Sequence, residues 1–297
     1  MPRVSICIPA YRADKYLPQA LESVRKQTFQ DWELIVTEDG SKDEAEALVN
    51  AFAQSVSQSV RYQRHEKNQG LPATRNTGIS ASCGELIALL DADDCWEAHH
   101  LEVTVNKLLE TGGDLAHAGS VLFDSDTGKE LETRAPSPSV IARFPLSLYE
   151  GDYVIQPSSV VLRKTLWERA GGFDPTFRYV EDREMWLRCA RAGGRFVYTE
   201  ANTCLYRKHG EALSTHSAEM AIACARAYEK QLDWDAIPEA LRRRSTAEAW
   251  ISAARILQRG EPRRAGEYLM HAWRASRGLH LLAWAGALRL YGLLARK

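Results

Sequence analysis

Residues 86–96 read LIALLDADDCW, so a run of five apolar residues leads directly into three carboxylates, Asp91, Asp93 and Asp94. The apolar run predicts a short buried strand. Carboxylates this close repel one another unless water or a cation compensates their charge. The stretch therefore leaves two alternatives: an exposed acidic turn, or a site that binds a positively charged ligand.

The segments around this strand alternate between strand and helix patterns. Strands are predicted at residues 4–8, 32–36, 60–63 and 86–90, and helices at 16–24, from 41 onward, at 71–82 and at 97–110. The helix near residue 41 is expected to open with the capping-box sequence SKDE. Because almost no hairpin signals separate these segments, the pattern favours an α/β fold with a mostly parallel, Rossmann-like sheet flanked by helices.

Polar residues follow each of the four predicted strands. They are Tyr11 and Arg12 after the first strand, residues 38–41 (EDGS) after the second, residues 65–70 (HEKNQG) after the third and residues 91–94 (DADD) after the fourth. In open parallel sheets, ligands bind beyond the carboxyl ends of the strands. We therefore expect one binding site along this edge of the sheet.

Asp91 and Asp93 are the candidate metal ligands at this edge. Two residues apart in an extended chain, they would point to the same face and converge on one ion. Oxygen ligands suit Mg²⁺ or Mn²⁺, and two carboxylates leave positions for water and for phosphate oxygens of a ligand. A nucleotide diphosphate is the expected partner of such a site.

The composition limits the other functional classes. The 297-residue chain has a formal net charge of -1, which provides no overall field for recruiting nucleic acid. None of its six cysteines forms a C-x-x-C pair, so neither a zinc ribbon nor a redox motif is expected. The start of the chain lacks a signal-peptide pattern, and no apolar run reaches the roughly 18 residues of a spanning helix. We expect a cytoplasmic protein.

The second half of the chain changes character once more. Residues 124–128 predict a hairpin turn, residues 158–162, 195–198 and 204–206 predict strands, and helices are expected to start near 164 and 181. From residue 218 onward the pattern is helical, with breaks at 238 and 260–262. We predict a domain at 1–217, with a nucleotide-binding half (1–95) and an acceptor and catalytic half (96–217), followed by a helical segment at 218–297.

Taken together, these motifs resemble the family 2 glycosyltransferases, inverting enzymes of the GT-A fold that use nucleotide-sugar donors. The resemblance covers residues 3 to 216. It is carried by VSICIPAY (4–11), EDGS (38–41), NQG (68–70), ATRN (73–76), LDADD (90–94), GGFD (171–174), ED (181–182) followed by WLR (186–188), and YRKH (206–209). It implies metal-dependent, inverting transfer of a sugar, with a UDP-sugar as the expected donor, to a hydroxyl of a glycan or lipid-linked acceptor in bacterial surface polysaccharide synthesis.

The resemblance also implies roles for the matching residues. Nucleotide and donor contacts fall on Pro9, Ala10, Tyr11, Glu38, Asp39, Arg75, Asp91, Ala92, Asp94, Arg207 and Ser214, with Asp39 accepting a hydrogen bond from the base. Asp93, with Asp91 and His209, would hold Mn²⁺ or Mg²⁺. Arg207, His209 and Ser214 would lie in a flexible loop that closes over the diphosphate. Glu38 stands where the family usually has Asp, which keeps the acceptor chemistry but lengthens the arm.

The reaction needs a carboxylate that accepts the proton of the attacking hydroxyl. Asp182 is the expected base, because a helix start favours its ionised form. Glu181 is the competitor for this role, and the alternative for both residues is a helix cap. Trp96, beside the acidic cluster, is the candidate acceptor contact, since aromatic faces stack on sugars.

Two further questions stay open at this point. A sugar-phosphate nucleotidyltransferase or a non-catalytic nucleotide-sugar-binding protein would also use an acidic sheet edge. The first usually carries a glycine-rich loop after its first strand, which residues 9–14 (PAYRAD) lack.

The tail from residue 277 combines leucines and Trp284 with a few basic residues, so it could lie peripherally on the inner face of the cell membrane or pack against neighbouring helices or a second subunit in a homodimer.

Overall fold

The computed structural model describes residues 1–210 and 217–294. The chain divides into two compact units, Met1–Gly210 and Glu211–Lys297. The sequence pattern puts the change to helical character a few residues later, between 217 and 218.

The first unit is built on one mixed sheet. Its strands are β1 (Val4–Ala10), β2 (Trp32–Glu38), β3 (Val60–Arg64), β4 (Leu86–Leu89), β5 (Cys95–Trp96), β6 (Leu115–Asp124), β7 (Glu130–Arg134), β8 (Val160–Arg163) and β9 (Phe196–Lys208). They run in the order β3-β2-β1-β4-β8-β6-β9-β5, with β7 paired to β6. The α/β fold predicted from the sequence is confirmed.

Helices cover this sheet. They are α1 (Leu17–Arg25), α2 (Ala45–Ala53), α3 (Leu71–Ser80), α4 (His100–Thr111), α5 (Pro138–Ala142), α6 (Leu146–Glu150), α7 (Lys164–Ala170) and α8 (Glu181–Arg191), and a short 3-10 turn spans Pro157–Ser159. Strands β1, β2 and β4 are buried along their whole length. Continuous burial is typical of parallel strands that are covered on both faces.

The parallel half of the sheet matches the prediction, whereas the other half does not. Strands β3, β2, β1 and β4 pair in parallel. Beyond β4 the sheet becomes mixed, because β8 runs antiparallel to both β4 and β6 while β6 and β9 are parallel. The two short strands predicted near residues 195–198 and 204–206 are one strand, β9, whose irregular pairing with β6 absorbs the break between them.

The capping-box prediction at residues 41–44 was wrong. Helix α2 starts at Ala45, whose N–H donates to Asp43 Oδ1 over 3.2 Å, and the side chain of the N-cap residue Glu44 forms no capping bond within the described part of the chain. The Ser41 hydroxyl instead donates to Glu38 and accepts from the backbone N–H of Arg12. Ser41 therefore forms its hydrogen bonds with Glu38 and Arg12 in the loop and does not cap the helix.

The second unit contains helices only in the part that the structure describes. They are α9 (Ser217–Glu229), α10 (Glu239–Leu257), α11 (Pro262–Ser276) and α12 (Leu279–Leu294). Leu281 and Ala285 of α12 are buried in one apolar cluster with Trp250, Ala254 and Leu269. This part of the tail therefore packs against the preceding helices, and residues 295–297 lie outside the described ranges. Across those ranges, no helix combines the length and apolarity that crossing a bilayer requires.

Candidate active site

The acidic cluster lies in a turn at the carboxyl end of β4. The strand ends at Leu89, and the Asp94 N–H donates to the Asp91 carbonyl over 3.0 Å. This turn breaks the strand alternation from which Asp91 and Asp93 were predicted to converge. Each of the three carboxylates has a different partner instead.

Asp91 is held by Arg75 of α3. The Arg75 Nη2 atom donates to both carboxylate oxygens of Asp91, over 2.7 and 2.9 Å. Only 1% of the Arg75 side chain is exposed, against 21% for Asp91. Burial raises the pKa of Asp91, and the guanidinium opposes this rise. The geometry thus directs the Asp91 carboxylate to Arg75 and away from an ion shared with Asp93.

Asp94 is buried and fixes the turn from inside. One of its oxygens accepts from the Ser158 hydroxyl over 2.6 Å, and the other accepts from the backbone N–H of Arg207 over 2.9 Å. The same Ser158 oxygen accepts from the Asp91 N–H over 3.0 Å. Burial raises the pKa of Asp94 well above its ordinary value, and the neighbouring charges of Asp93 and Asp91 add to the rise.

Asp93 is the most accessible carboxylate of the three and lies against His209. Its side chain is 39% exposed, and its Oδ2 atom is 2.9 Å from His209 Nε2. Two ligands at about 2.05 Å in adjacent positions of an octahedron would be about 2.9 Å apart. The other ring nitrogen of His209, Nδ1, is buried and has no hydrogen-bond partner among the described residues. Asp93 and His209 are joined here by a hydrogen bond, and their oxygen and nitrogen atoms are of the kinds that could hold a divalent cation.

Within residues 1–210 and 217–294, no three His, Cys, Asp or Glu side chains are arranged to hold a metal ion. Of the predicted set, Asp93 and His209 are in contact with each other, whereas Asp91 pairs with Arg75. Water and phosphate oxygens would have to supply the remaining ligands, as they usually do for Mg²⁺.

Arg207 is part of a strand rather than of a flexible loop. It lies in β9 and is 4% exposed, with its guanidinium carbon 4.9 Å from the Tyr16 ring centroid and 4.6 Å from that of Phe123. Its Nε atom donates to the Asp93 carbonyl over 2.7 Å. Arg207 therefore supports the turn that carries Asp93. Ser214, placed in the same loop by the sequence, lies outside the described residues.

The EDGS loop after β2 is shaped by a close approach of two backbones. Gly40 has φ +75°, and a Cβ atom there would lie 2.5 Å from the carbonyl carbon of Lys67. Glu38 is buried, accepts from the N–H and hydroxyl of Ser41, and pairs with Arg64 Nε over 3.1 Å. The longer side chain of Glu38 thus forms its contacts with Ser41 and Arg64 in this part of the protein.

Asp39 joins this loop to residues 65–70. It accepts from the backbone N–H groups of Gln69 and Gly70 and contacts His65 Nδ1, each over 2.8 Å. Although burial raises the pKa of Asp39, these hydrogen bonds outweigh it and hold the pKa below its ordinary value. A carboxylate offers about four acceptor positions, so one remains for a ligand.

Pro9 and Ala10 are buried at the end of β1, and Tyr11 directly after them is 45% exposed. Ala92 is buried inside the acidic turn. Of these residues, Tyr11 is the exposed one, with the Arg12 guanidinium carbon 5.2 Å from its ring centroid. It lies next to the EDGS loop, since the Asp39 N–H donates to the Ala10 carbonyl over 2.8 Å.

Glu181 and Asp182 begin α8, as predicted, after a strained residue. Val180 has φ +60°, a conformation that β-branched residues rarely adopt and that costs on the order of 1–3 kcal/mol. Glu181 accepts from Arg75 Nη1 over 2.6 Å. Burial raises the pKa of both Glu181 and Asp182, while Arg75 opposes the rise in each. Asp182 is thus the carboxylate of this pair that is not engaged by Arg75 in a hydrogen bond.

The prediction for Trp96 does not match its surroundings. Its side chain is 4% exposed, its Nε1 donates to the Ser158 carbonyl over 2.5 Å, and its ring stacks on His100. Pairing of β5 with β9 turns the ring into the core, so it offers no face to an acceptor sugar.

Two supporting residues were missed by the sequence analysis. Ser158 bridges Asp91 and Asp94, and Asn76 forms a pair of hydrogen bonds with the backbone of Phe173, over 2.7 and 2.8 Å. Asn76 belongs to the ATRN motif, which is the one signal that could have identified it. Ser158 stands in no recognised motif.

Comparison with known proteins places the chain in a family. The model described as glycosyl transferase family 2 matches residues 5–169. An uncharacterised glycosyltransferase of Nostoc is 26% identical over 211 residues, which cover 70% of this chain and 65% of the relative. The UDP-Glc:alpha-D-GlcNAc-diphosphoundecaprenol beta-1,3-glucosyltransferase WfgD of Escherichia coli is 29% identical over 62% of this chain and 68% of its own. The chain thus spans about two thirds of the length of these relatives.

Solved structures show the same fold at lower identity. The Staphylococcus aureus protein TarS, in a complex with UDP-GlcNAc, matches with a TM-score of 0.72 and 16% identity, covering 97% of this chain and 88% of that one. The mannosyltransferase PcManGT of Pyrobaculum calidifontis, in complex with GDP-Man and Mn²⁺, matches with a TM-score of 0.63 and 16% identity over 98% of this chain and 88% of its own. With the family model covering more than half of its residues, the chain belongs to glycosyl transferase family 2.

Proposed function

We propose that the chain is an inverting glycosyltransferase that moves a sugar from a nucleotide diphosphate donor to a hydroxyl group of an acceptor. The observation that carries this proposal is the pairing of the accessible Asp93 with His209 at the same sheet edge as Asp182. Asp93 and His209 offer a cation site for the diphosphate, and Asp182 offers a base. Such an edge is also where ligands bind in this type of sheet.

The proposed cofactor is Mn²⁺ or Mg²⁺, held by Asp93 and His209. When bound, a divalent cation supplies positive charge to the leaving diphosphate. Arg207 keeps Asp93 in place through the Asp93 carbonyl. Asp94 contributes by bonding the turn to Ser158 and to β9, and Asp93 is the most exposed carboxylate of that turn.

Asp182 is the proposed general base. It takes the proton of the acceptor hydroxyl as that oxygen bonds to the anomeric carbon. The bond between the anomeric carbon and the diphosphate oxygen breaks, and the electron pair leaves with the nucleoside diphosphate. Attack from the side opposite the leaving group inverts the anomeric configuration. The backbone N–H of Arg183 and the guanidinium of Arg75 limit the rise in the pKa of Asp182 that burial causes, whereas Asp91 adds to that rise.

A uridine nucleotide is the proposed donor carrier. The remaining acceptor position of Asp39 suits the N–H group of a uracil ring, and Tyr11 offers its exposed face to the base. A relative is named for UDP-Glc, and the two solved structures contain UDP-GlcNAc and GDP-Man. Guanine also carries a ring N–H donor, so GDP-sugars form the comparison set in the test.

The proposed acceptor is a glycan or a lipid-linked sugar, at the inner face of a bacterial membrane. The helical unit carries more Lys and Arg than Asp and Glu, and the sheet unit carries the reverse. A basic surface is attracted to anionic lipids. Peripheral contact through the helical unit, and a homodimer, remain proposals that vesicle sedimentation and light scattering can test.

The experiment is a donor panel of UDP-glucose, UDP-N-acetylglucosamine and GDP-mannose with Mn²⁺ or Mg²⁺, in which release of nucleoside diphosphate is measured with alkyl glycosides as acceptors. We expect one UDP-sugar to be consumed faster than the others. Asp182→Asn should lower turnover by at least roughly 100-fold and leave UDP affinity within about twofold. Asp126→Asn, in the exposed β6–β7 turn, is the matched control. No release from any donor, or full activity of Asp182→Asn, would contradict the proposal.

A further inference from the structure

Arg75 connects the two halves of the site through one buried guanidinium. It lies on α3, where Nη2 binds Asp91 beyond β4 and Nη1 binds Glu181 at the start of α8, over 2.6 Å. Arg75 and Glu181 are 106 positions apart in the sequence. The Phe173 ring lies against the guanidinium, with its centroid 5.3 Å from the central carbon. The bridge therefore joins the donor side of the site to the helix that carries Asp182.

Helix α3 makes a second connection to the segment that leads into α8. Asn76, the next residue of α3, forms two hydrogen bonds with the backbone of Phe173 in the loop that leads toward α8. A Cβ atom at Gly172 would lie 3.0 Å from the Asn76 Oδ1 atom, so this approach is close. The position of α8 relative to the acidic turn thus depends on two adjacent residues of α3.

Glu181 is occupied by this bridge. Its Oε1 atom accepts from Arg75, and its side chain is 9% exposed. Burial and the bond to Arg75 therefore keep the Glu181 carboxylate away from an acceptor hydroxyl. Its neighbour Asp182 is partly exposed, and its Oδ1 atom accepts from the backbone N–H of Arg183 over 2.7 Å.

We propose that Arg75 and Glu181 are positioning residues, which fix the first turn of α8 so that Asp182 faces the acceptor and which restrict proton transfer to Asp182. This inference rests on the proposed function, since it presupposes that Asp182 acts as base. The left-handed Val180 directly before Glu181 needs such an anchor, because a strained backbone persists only where its surroundings hold it.

The charges around Asp182 fix the expected direction of the pH effect. Arg75 from α3 favours its ionised form. Asp91 after β4 and Glu181 on the same helix oppose that form. Tyr206 of β9 is close enough to feel the charge of Asp182, but it is itself neutral because burial raises its pKa. Removing the charge of Glu181 therefore makes Asp182 easier to ionise.

The test compares Glu181→Gln with Glu184→Gln. The amide oxygen of the first variant would still accept from Arg75, which keeps the chain folded, but the bond loses its ionic part and holds the first turn of α8 less firmly. Glu184 is fully buried on the same helix and paired with Arg188 over 2.6 Å, one turn further from the site, which makes its variant the matched control. The readouts are kcat, KM for the donor found in the panel, UDP affinity, and the pH profile of kcat.

We expect Glu181→Gln to lower kcat roughly 10- to 100-fold by misplacing the base, with KM within about twofold. The acid limb of its pH profile should move down by roughly 0.5 to 1 unit. Glu184→Gln should move neither quantity. Arg75→Lys, which keeps the charge but loses one arm of the bridge, should lower kcat less than Glu181→Gln and leave the acid limb in place.

Wild-type kcat with an unchanged pH profile in Glu181→Gln would overturn the inference, and so would an active Asp182→Asn beside an inactive Glu181→Gln, which would make Glu181 the base. If Glu181→Gln does not fold, Arg75→Lys decides, and wild-type kcat in that variant counts against the bridge. Absence of transfer by the wild-type chain from every donor would instead refute the proposed function.

Discussion

Replacement of Gly40 by alanine tests the architecture of the nucleotide loop. At φ +75°, an L-residue costs about 1–2 kcal/mol relative to its usual conformation. The new Cβ would also lie 2.5 Å from a backbone carbon of Lys67 and 2.6 Å from the N atom of Asn68. Forcing such a contact apart costs about 1–3 kcal/mol more. The free energy of unfolding should therefore fall by about 2–5 kcal/mol.

Gly128 provides a control with the same backbone conformation and no close neighbour. Its φ is +69°, and no atom of the residues that the structure describes lies within 4 Å of an added Cβ. Gly128→Ala should therefore show only the conformational cost of about 1–2 kcal/mol. The difference between the two variants isolates the contact between residue 40 and the 67–68 backbone.

Urea and thermal unfolding of both variants measure the change in stability, and calorimetry measures UDP binding. At about 2–4 °C per kcal/mol for a domain of this size, Gly40→Ala should melt about 4–20 °C lower. Its UDP affinity should fall as well, because Asp39 and residues 68–70 must move apart. Equal destabilisation of the two variants would refute the packing explanation, and unchanged UDP affinity would remove this loop from the nucleotide site.

Three further outcomes follow from the same structure. Turnover should fall as the pH falls through the pKa of Asp182, which burial raises above its ordinary 3.8, because the base must be ionised; a kcat that stays constant down to pH 4 would contradict this. Asn76→Ala should lower the free energy of unfolding by about 1–3 kcal/mol, since it leaves the Phe173 N–H and carbonyl unpaired. The control, Asn50→Ala at an exposed helix position, should change the free energy of unfolding by less than about 0.5 kcal/mol. Asp93→Asn should weaken Mn²⁺-dependent UDP binding, measured by calorimetry, while Asp126→Asn should not, and equal affinities would exclude Asp93 as a ligand.

The sequence predicted the part of the fold that depends on local patterns. The alternation of strands and helices up to β4, and the gathering of polar loops at one edge, follow from periodicity and chain connection alone. The turn at Asp91–Asp94 could not be predicted, because its closure depends on Ser158, which is 67 positions from Asp91. The merging of two short strands into β9 likewise depends on pairing with β6.

The site was predicted in composition but not in its pairings. Asp93 and His209 are both in recognised motifs, yet their contact is 116 positions apart in the sequence. Arg75 was expected to face the nucleotide, and only the fold shows its guanidinium between Asp91 and Glu181. Trp96 was misplaced because strand pairing decides which side of a two-residue strand faces the core.

The anomeric configuration of the product tests the central claim most directly. With the donor identified in the panel, proton NMR of the product formed at early times reports the coupling constant of the anomeric proton. A single displacement assisted by Asp182 predicts that an α-linked sugar nucleotide gives a β-linked product, and that Asp182→Asn gives none. An α-linked product from the same donor would contradict the account.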